Sequence, residues 1–162
     1  MITIKKPSLI DIPELLPLWE AQYRLHRGFD PEFYVPVTPQ LLHKIEKHLN
    51  KLIQNKKTGI LIARVGDSIA GFITFEDHIR PYLDENITRY ADVMELFVAE
   101  KYRRQMIGQS LIRGMEEVLA KRGIYATQLG CAVSNTVGIA FYEKIGYRGN
   151  HIWFIKKSAT NP

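Results

Sequence analysis

The sequence predicts an α/β protein built on a mixed, partly parallel central sheet with helices on both faces. Two amphipathic helical segments follow a short strand, a hairpin pattern occupies the middle of the chain, and strands alternate with helices in the second half. This alternation favours parallel strands, because their connection must cross one face of the sheet. No repeat or Gly/Ser/Pro-rich linker divides the 162 residues, so we expect a single domain over residues 1–162.

The first half of the chain predicts a strand, two helices and a hairpin. Alternating apolar and polar residues at 1–6 are typical of a short strand. Apolar residues within 12–23 lie on one helical face, and Asp11 precedes them as a candidate N-cap. Thr38 begins a second helix with a proline in its first turn, and two β-rich runs flank a turn at 66–67.

The second half predicts a strand, a helix, a strand, a short helix and a last strand. The apolar run at 91–100 indicates a strand, and apolar residues recur at helical spacing over 107–123, where a glycine ends the helix. Residues 124–134 predict the next strand, 135–145 a short helix and 147–157 the last strand.

Charge and composition limit the classes of partner. The net charge is +5, but the basic residues are scattered and do not alternate with aromatic ones, which argues against a nucleic-acid surface and favours a local pocket for an anionic ligand. No apolar run is long enough to span a bilayer, and one cysteine cannot form a disulfide framework. We therefore expect a cytoplasmic protein without nucleic-acid or membrane partners. The histidine spacing indicates no metal site.

A basic stretch, EKYRRQMIGQSLI at 100–112, joins the strand at 91–100 to the following helix. The first N–H groups of a helix have no internal partner, so a phosphate placed there meets several donors. Arg103 and Arg104 add charge, and Gly108 permits close approach to the backbone. Taken alone, this stretch is more simply a solvated connection; the rest of the chain favours a phosphate site.

Two longer segments contain this stretch and a later helix: MELFVAEKYRRQMIGQSLI and LGCAVSNTVGIAFYEKIGY. They resemble, in the same order, the two signatures of the GNAT superfamily of acetyl-CoA-dependent N-acetyltransferases. The first signature corresponds to Arg103, Met106 and Gly108, and Met106 stands where the family usually has glycine. The matching positions of the second are Asn135, Ala140, Tyr142, Glu143, Lys144, Gly146 and Tyr147.

The resemblance implies acetyl-CoA as the cofactor and transfer of its acetyl group to a primary amine. We expect direct attack in a ternary complex, because no nucleophile for an acyl-enzyme is evident. The alternative is a GNAT-like domain that binds acyl-CoA without catalysis. By resemblance, one strand binds the pantetheine arm, and the loop, first helical turn and last helix bind the rest of the coenzyme. These residues are Leu96, Phe97, Val98, Arg103, Arg104, Gln105, Met106, Ile107, Gly108, Gln109, Ser110, Asn135, Phe141, Tyr142 and Lys144.

The methionine at position 106 constrains the backbone conformation expected for the loop. A methionine is costly if its backbone requires positive φ, but it is tolerated if the backbone is helical and only its N–H is needed. We expect a helical backbone at Met106.

Two residues are candidates for the chemistry. Tyr142 lies two helical turns after Asn135 and is placed to protonate the coenzyme sulfur, the role that the resemblance also implies; otherwise it is a core tyrosine. Glu95 lies inside the apolar strand VMELFV, where a carboxylate is costly unless it faces a cleft or a partner. We predict Glu95 as the general base; the alternative is that it is an exposed or salt-bridged strand residue. In a regular strand, Val93 shares its face.

The amine acceptor is the least constrained part of the prediction. It is either a small-molecule amine or a protein amine, and the chain is either a monomer or a homodimer. In this fold the acceptor pocket comes from the N-terminal helices and the segment before the fourth strand, which here mix aromatic and charged groups. The candidate acceptor-binding residues are Tyr23, His26, Tyr34, Glu76 and Tyr82.

Overall fold

The computed structural model describes residues 1–55, 58–79 and 86–156. Within them, five strands form one sheet whose spatial order follows the chain. Neighbouring strands are antiparallel except the last pair, which is parallel, so the predicted mixed, partly parallel sheet is confirmed. The strands are β1 (Ile2–Lys5), β2 (Thr58–Val65), β3 (Ser68–Ile79), β4 (Arg89–Val98) and β5 (Thr127–Leu129).

Helices cover both faces of the sheet, as predicted. On one face, Trp19 of the first helix stacks on Phe72 of β3 with ring centroids 4.6 Å apart. On the other face, the third helix packs through its fully buried Leu111 and Met115. The sheet is therefore buried on both sides. The helices are α1 (Ile12–Phe29), α2 (Pro39–Gln54), α3 (Ile107–Ala120) and α4 (Thr136–Lys144).

Local hydrogen bonds explain where the first helices begin. The second helix starts directly after Thr38, within one residue of the predicted start, and Thr38 caps it: its Oγ1 accepts a hydrogen bond from the N–H of Leu41 at 3.2 Å. Asp11 occupies the N-cap position of α1, but its carboxylate accepts from Ser8 and from Arg64 of β2. Asp11 is therefore the N-cap residue, as predicted, but its carboxylate makes no capping bond and instead ties the start of α1 to the sheet.

A β-bulge interrupts β4. The register with β3 shifts between Val93 and Glu95, which leaves Met94 unpaired there and 58% exposed. Because of the extra residue, Val93 packs under α3 while Glu95 turns to α1 on the opposite face. The expectation that Val93 and Glu95 share a face is therefore wrong, since it assumed a regular strand.

The end of the chain differs most from the prediction. β5 covers only residues 127–129 of the strand expected at 124–134, and residues 147–156 form no strand. Trp153 and Phe154 there are 87% and 92% exposed. The predicted last strand is therefore wrong within the described residues. Strand propensity is realised against a partner strand and a core, and these exposed side chains meet no core.

Candidate active site

The sheet opens between its two parallel strands. β5 ends at Leu129, which pairs with Val93, while β4 continues to Val98. Among the described residues, no strand pairs with this last part of β4 on that side. The sequence is compatible with the opening through Gly130, directly after β5, but it does not predict it.

Main-chain groups of β4 face this opening. The N–H of Ala99 donates to Ala70 of β3, and peptide groups alternate sides along a strand, so those of Leu96 and Val98 point away from β3. In agreement, the Val98 carbonyl accepts a hydrogen bond from Nε of Arg103 at 3.1 Å. An extended ligand with amide groups can pair with such an edge.

A cleft of about 200 Å³ lies at the opening. Its walls come from α1, β4, the end of β5 and the start of α4, so residues distant in sequence meet there. The predicted site residues that line it are Glu95, Leu96, Phe97, Asn135, Tyr142, His26 and Tyr34.

Glu95 lies at the centre of the cleft wall formed by β4. Its Oε2 accepts a hydrogen bond from Nε2 of Gln22, a residue of α1 that is 1% exposed. Burial raises the pKa of Glu95 to about 7, although the Gln22 bond acts in the opposite direction. A carboxylate that titrates near neutral pH is suited to accept a proton at physiological pH.

Tyr142 enters the same cleft from α4. Its ring packs edge-on against Phe141 and Tyr147, with centroids 5.2 and 5.7 Å away. Its hydroxyl has no hydrogen-bond partner among the described residues. Burial raises the pKa of Tyr142, and neighbouring Cys131 adds to the rise, so the hydroxyl keeps its proton at neutral pH. The group is therefore a proton donor that no internal bond occupies.

Uncharged side chains surround Glu95 on the α1 side. The rings of His26 and Tyr34 lie 5.3 Å apart. Burial lowers the pKa of His26, which is therefore neutral at pH 7. Burial, with the charge of Glu95, raises the pKa values of Tyr23 and Tyr34. Tyr23 packs against the α1–α2 core and does not line the cleft.

Asn135 shapes the cleft through its side chain as well as its position. Its Oδ1 accepts a hydrogen bond from the N–H of Gly138 at 3.0 Å and so caps α4. The preceding residue, Ser134, donates to the carbonyl of Phe29 at 3.5 Å, which links this corner to the end of α1. Asn135 therefore has a structural role whether or not it contacts a ligand.

The loop before α3 has an unusual backbone. Arg104 and Met106 both have positive φ, 63° and 62°, whereas Gln105 between them does not. The expectation of a helical backbone at Met106 is therefore wrong: this residue is the left-handed N-cap of α3, and its side chain points out with 64% exposed. Met106 directly precedes the right-handed Ile107, and two adjacent residues of opposite hand turn successive N–H groups towards one point, which forms an anion-binding nest.

The first turn of α3 completes this surface. Its first bond runs from the N–H of Ser110 to Met106, so the N–H groups of Ile107, Gly108 and Gln109 have no acceptor within the helix. A Cβ on Gly108 would lie 3.1 Å from the Phe141 ring, so glycine here lets α4 pack against the helix start.

Some predicted residues lie apart from the cleft. The backbone of Glu76 in β3 lies opposite that of Asp92 in β4, and Lys144 is exposed at the end of α4. Gln105 donates to the carbonyl of Lys101 at 3.2 Å within its own loop. Tyr82 lies outside the described residues.

Gln22 is the site residue that the sequence reasoning missed. It follows Leu15 and Trp19 on the buried face of α1, where an amide is out of place in an apolar stripe. An amide in the apolar stripe of α1 is the one feature of the sequence that indicates a buried polar contact for Gln22. Its partner was not visible, because the contact with β4 spans 73 residues of sequence.

The described residues contain neither a membrane-spanning helix nor a cluster of metal ligands. No described helix is long and apolar enough to cross a bilayer. Nor does this part of the chain contain three or more His, Cys, Asp or Glu side chains grouped as metal ligands.

The fold is that of known acetyltransferase structures. The tetramutant of the BH1408 protein from Bacillus halodurans superimposes with a TM-score of 0.84 at 16% identity, over 96% of this chain and 99% of that one. A predicted acetyltransferase from Clostridium acetobutylicum, solved with acetyl-CoA, gives a TM-score of 0.74 at 14% identity, over 97% and 96%.

Sequence comparison assigns the family. The profile of the Acetyltransferase (GNAT) family matches residues 19–147, and the chain belongs to that family. The spermidine N(1)-acetyltransferase of Thermoplasma acidophilum is 24% identical over 151 residues, which are 91% of this chain and 88% of that relative. The protein is thus an acetyl-CoA-dependent acyltransferase, and the expected family and cofactor are confirmed.

Proposed function

We propose that the protein transfers the acetyl group of acetyl-CoA to the primary amine of a small molecule by direct attack in a ternary complex. The observation that carries the proposal is the position of Glu95 and Tyr142 in one cleft that opens onto the unpaired edge of β4. One group is suited to remove a proton and the other to supply one.

The residues along the opening fit the coenzyme. The peptide groups of Leu96 and Val98 match the amide-bearing pantetheine arm, and the turn around Met106 offers its N–H groups to a diphosphate. Arg103 and Arg104 add positive charge at the same end. When bound, acetyl-CoA supplies an activated acetyl thioester.

Glu95 is the base in this proposal. An alkyl ammonium with a pKa near that of lysine, about 10.4, is protonated at neutral pH and must lose its proton before it attacks. The Glu95 carboxyl group lines the cleft and has a pKa of about 7, so it is able to accept a proton near neutral pH. It takes the proton directly or through one water.

Tyr142 is the acid. Its hydroxyl is protonated at neutral pH and has no competing partner within the described residues. In this proposal the hydroxyl proton of Tyr142 passes to the sulfur atom of the departing coenzyme A. Cys131, which also lines the cleft, is not needed as a nucleophile, because burial raises the pKa of its thiol and the thiol stays protonated.

The size and lining of the cleft support a small amine as the acceptor. A volume of about 200 Å³ suits a short chain or a single ring, and His26, Tyr34 and Glu95 together offer aromatic contact and one negative charge for an ammonium group. The relative from Thermoplasma acidophilum, by its name, acts on spermidine, an amine of this general kind.

The test is an acetylation assay with a panel of primary amines that includes spermidine, single-ring aryl amines and peptides. Product is identified by mass spectrometry and coenzyme release is followed with a thiol reagent. We expect acetylated product with at least one small amine, and loss of most turnover in Glu95→Gln. Binding of acetyl-CoA with no acetylated product from any amine would refute the proposal. Turnover confined to peptides would refute its small-molecule part.

A further inference from the structure

A buried amide on α1 contacts the candidate base. Gln22 is 1% exposed, and two apolar residues of the same helix face, Leu15 and Trp19, are buried in the core beside it. An amide in such a place is costly unless it is hydrogen-bonded. Its bond goes to Glu95, so the packing of α1 and the position of the carboxylate depend on each other.

The Gln22 amide is only half satisfied. Nε2 donates to Glu95, whereas Oε1 is buried and has no hydrogen-bond partner within the described residues. Such an orphaned acceptor calls for an explanation. A half-turn about the last side-chain bond exchanges the donor and acceptor of an amide, and no third described residue holds this amide in one orientation. Gln22 can therefore present either group to Glu95.

We propose that Gln22 is the positioning residue of Glu95 and pairs with both protonation states of its carboxyl group. Its Nε2–H donates to the carboxylate in a charge-assisted bond, and the reversed amide accepts from the protonated acid through Oε1 in a weaker, neutral bond, so the amide favours the charged form. The carboxyl group thus stays in one place while a proton arrives and leaves. This inference rests on the proposed function, in which Glu95 takes up the proton of the amine.

Other titratable groups line the cleft around Glu95 or, in the case of Tyr23, interact with its charge from the α1–α2 core, and they are uncharged near neutral pH. Burial raises the pKa values of the phenols and the thiol and lowers that of the imidazole. Removal of the amide therefore changes the pH dependence through Glu95 itself. These groups are Tyr23 and His26 of α1, Tyr34, Cys131 and Tyr142.

The test replaces Gln22 with methionine, which has similar volume and no hydrogen-bonding amide. The pKa of Glu95 is measured in the ligand-free protein by ¹³C NMR of the side-chain carboxyl, whose resonance is identified as the one lost in Glu95→Gln. Since the amide donates to the charged form, its loss raises the pKa of Glu95 by about one unit. The acidic limb of kcat/KM moves upward equally, so activity at pH 7 falls about fivefold and the deficit narrows by pH 9.

Gln22→Glu is the second variant, because it keeps the length of the side chain. Two adjacent carboxyl groups share one proton and titrate in two steps, and the upper of the two pKa values lies above that of Glu95 in Gln22→Met. Ile12→Val is the control: it weakens the packing of α1 away from the cleft, lowers the melting temperature, and leaves the pKa of Glu95 unchanged.

The outcomes separate this inference from the proposed function. An unchanged pKa of Glu95 in Gln22→Met overturns the inference, and if Glu95→Gln has lost turnover, the proposed base remains. Full turnover in Glu95→Gln refutes the base itself and the inference with it. An upward pKa shift together with lost turnover in Glu95→Gln supports both.

Discussion

Burial shifts the pKa values of Glu95 and Tyr142 in a way that suits the opposite roles proposed for them. Burial raises both pKa values, but the starting points differ. The carboxyl group rises to about 7 and becomes a base that titrates near neutral pH, whereas the phenol rises further from neutrality and remains an acid. One environment thus produces a proton acceptor and a proton donor from two ordinary side chains.

Tyr142→Phe is expected to lower kcat by about 10²-fold or more, because it removes the proton donor while leaving the ring in place. The dissociation constant of acetyl-CoA changes little. Steady-state kinetics and isothermal titration measure the two quantities. Tyr147→Phe is the matched control: its hydroxyl bonds Thr127 at 2.8 Å, so its loss costs about 1 kcal/mol of stability and spares turnover. Equal kcat in Tyr142→Phe and the native protein would exclude Tyr142 as the acid.

The loop before α3 contains two backbone conformations that non-glycine residues rarely adopt. Arg104 and Met106 adopt left-handed backbone conformations that glycine accommodates without strain. The exposed side chain of Met106 does not fill the space in front of the helix, because the left-handed turn directs it outward. A methionine in the family's glycine position is therefore compatible with free N–H groups, at a cost in stability.

Met106→Gly is expected to stabilise the protein by about 0.5–1 kcal/mol. The change relieves left-handed strain of about 1–2 kcal/mol and adds a smaller cost from the greater freedom of glycine in the unfolded chain. Thermal unfolding is the measurement, with an increase of about 1–3 °C in the melting temperature.

Met94→Gly is the matched control for that loop, because Met94 is also exposed but has no positive φ. Met94→Gly is expected to lower the free energy of unfolding by about 0.5–1 kcal/mol. Equal losses of stability in the two glycine variants would show that the left-handed backbone of Met106 is not strained.

At the scale of the whole molecule, an ionic cluster joins the start of α1 to the β2–β3 hairpin. Nη2 of Arg64 donates to Asp11 at 2.7 Å and to Glu14 at 3.0 Å, and Glu14 in turn accepts from the N–H of Ile69. Asp11 is 4% exposed. This cluster connects the first helix, whose later turns carry Gln22, to the sheet that carries Glu95.

Asp11→Asn is expected to destabilise the protein by about 2–3 kcal/mol at pH 7, since it weakens hydrogen bonds to a buried charge. Burial alone would raise the pKa of Asp11, but the bonds from Ser8 and Arg64 outweigh it and lower the pKa. The stability from this carboxylate is therefore present above its unfolded pKa of about 3.9 and is lost as the pH falls through the lower folded pKa.

Urea unfolding at pH 7 and pH 2.5 measures this dependence, and the gap between the native protein and Asp11→Asn should narrow at the lower pH. Glu20→Gln is the control, because its ion pair with Arg24 lies on the surface of α1 and contributes less than about 1 kcal/mol. A gap that does not depend on pH would show that the charge of Asp11 is not what stabilises the cluster.

Local patterns predicted most of the architecture. Helical spacing located α1, α2 and α3, the turn residues located the β2–β3 hairpin, and glycines with positive φ, Gly66 and Gly123, lie where turns were expected. These features depend on neighbours a few residues apart, so they are visible in the chain itself.

The prediction failed where the outcome depended on contacts between distant segments. The bulge at Met94, the left-handed turn at Met106 and the unpaired segment at 147–156 have no local signature. Each is set by what lies opposite: the register with β3, the docking of α3, and the partner that a strand-like sequence needs.

The residue types and their spacing established the family, the coenzyme and the two candidate groups for proton transfer, because a motif is a property of neighbouring positions. Only the folded chain settled which way Glu95 faces and which side chain meets it. One extra residue in β4 turns the carboxylate towards α1, where a buried amide 73 positions earlier in the sequence becomes its partner. Register and helix packing are properties of the whole sheet, and no window of the sequence contains them.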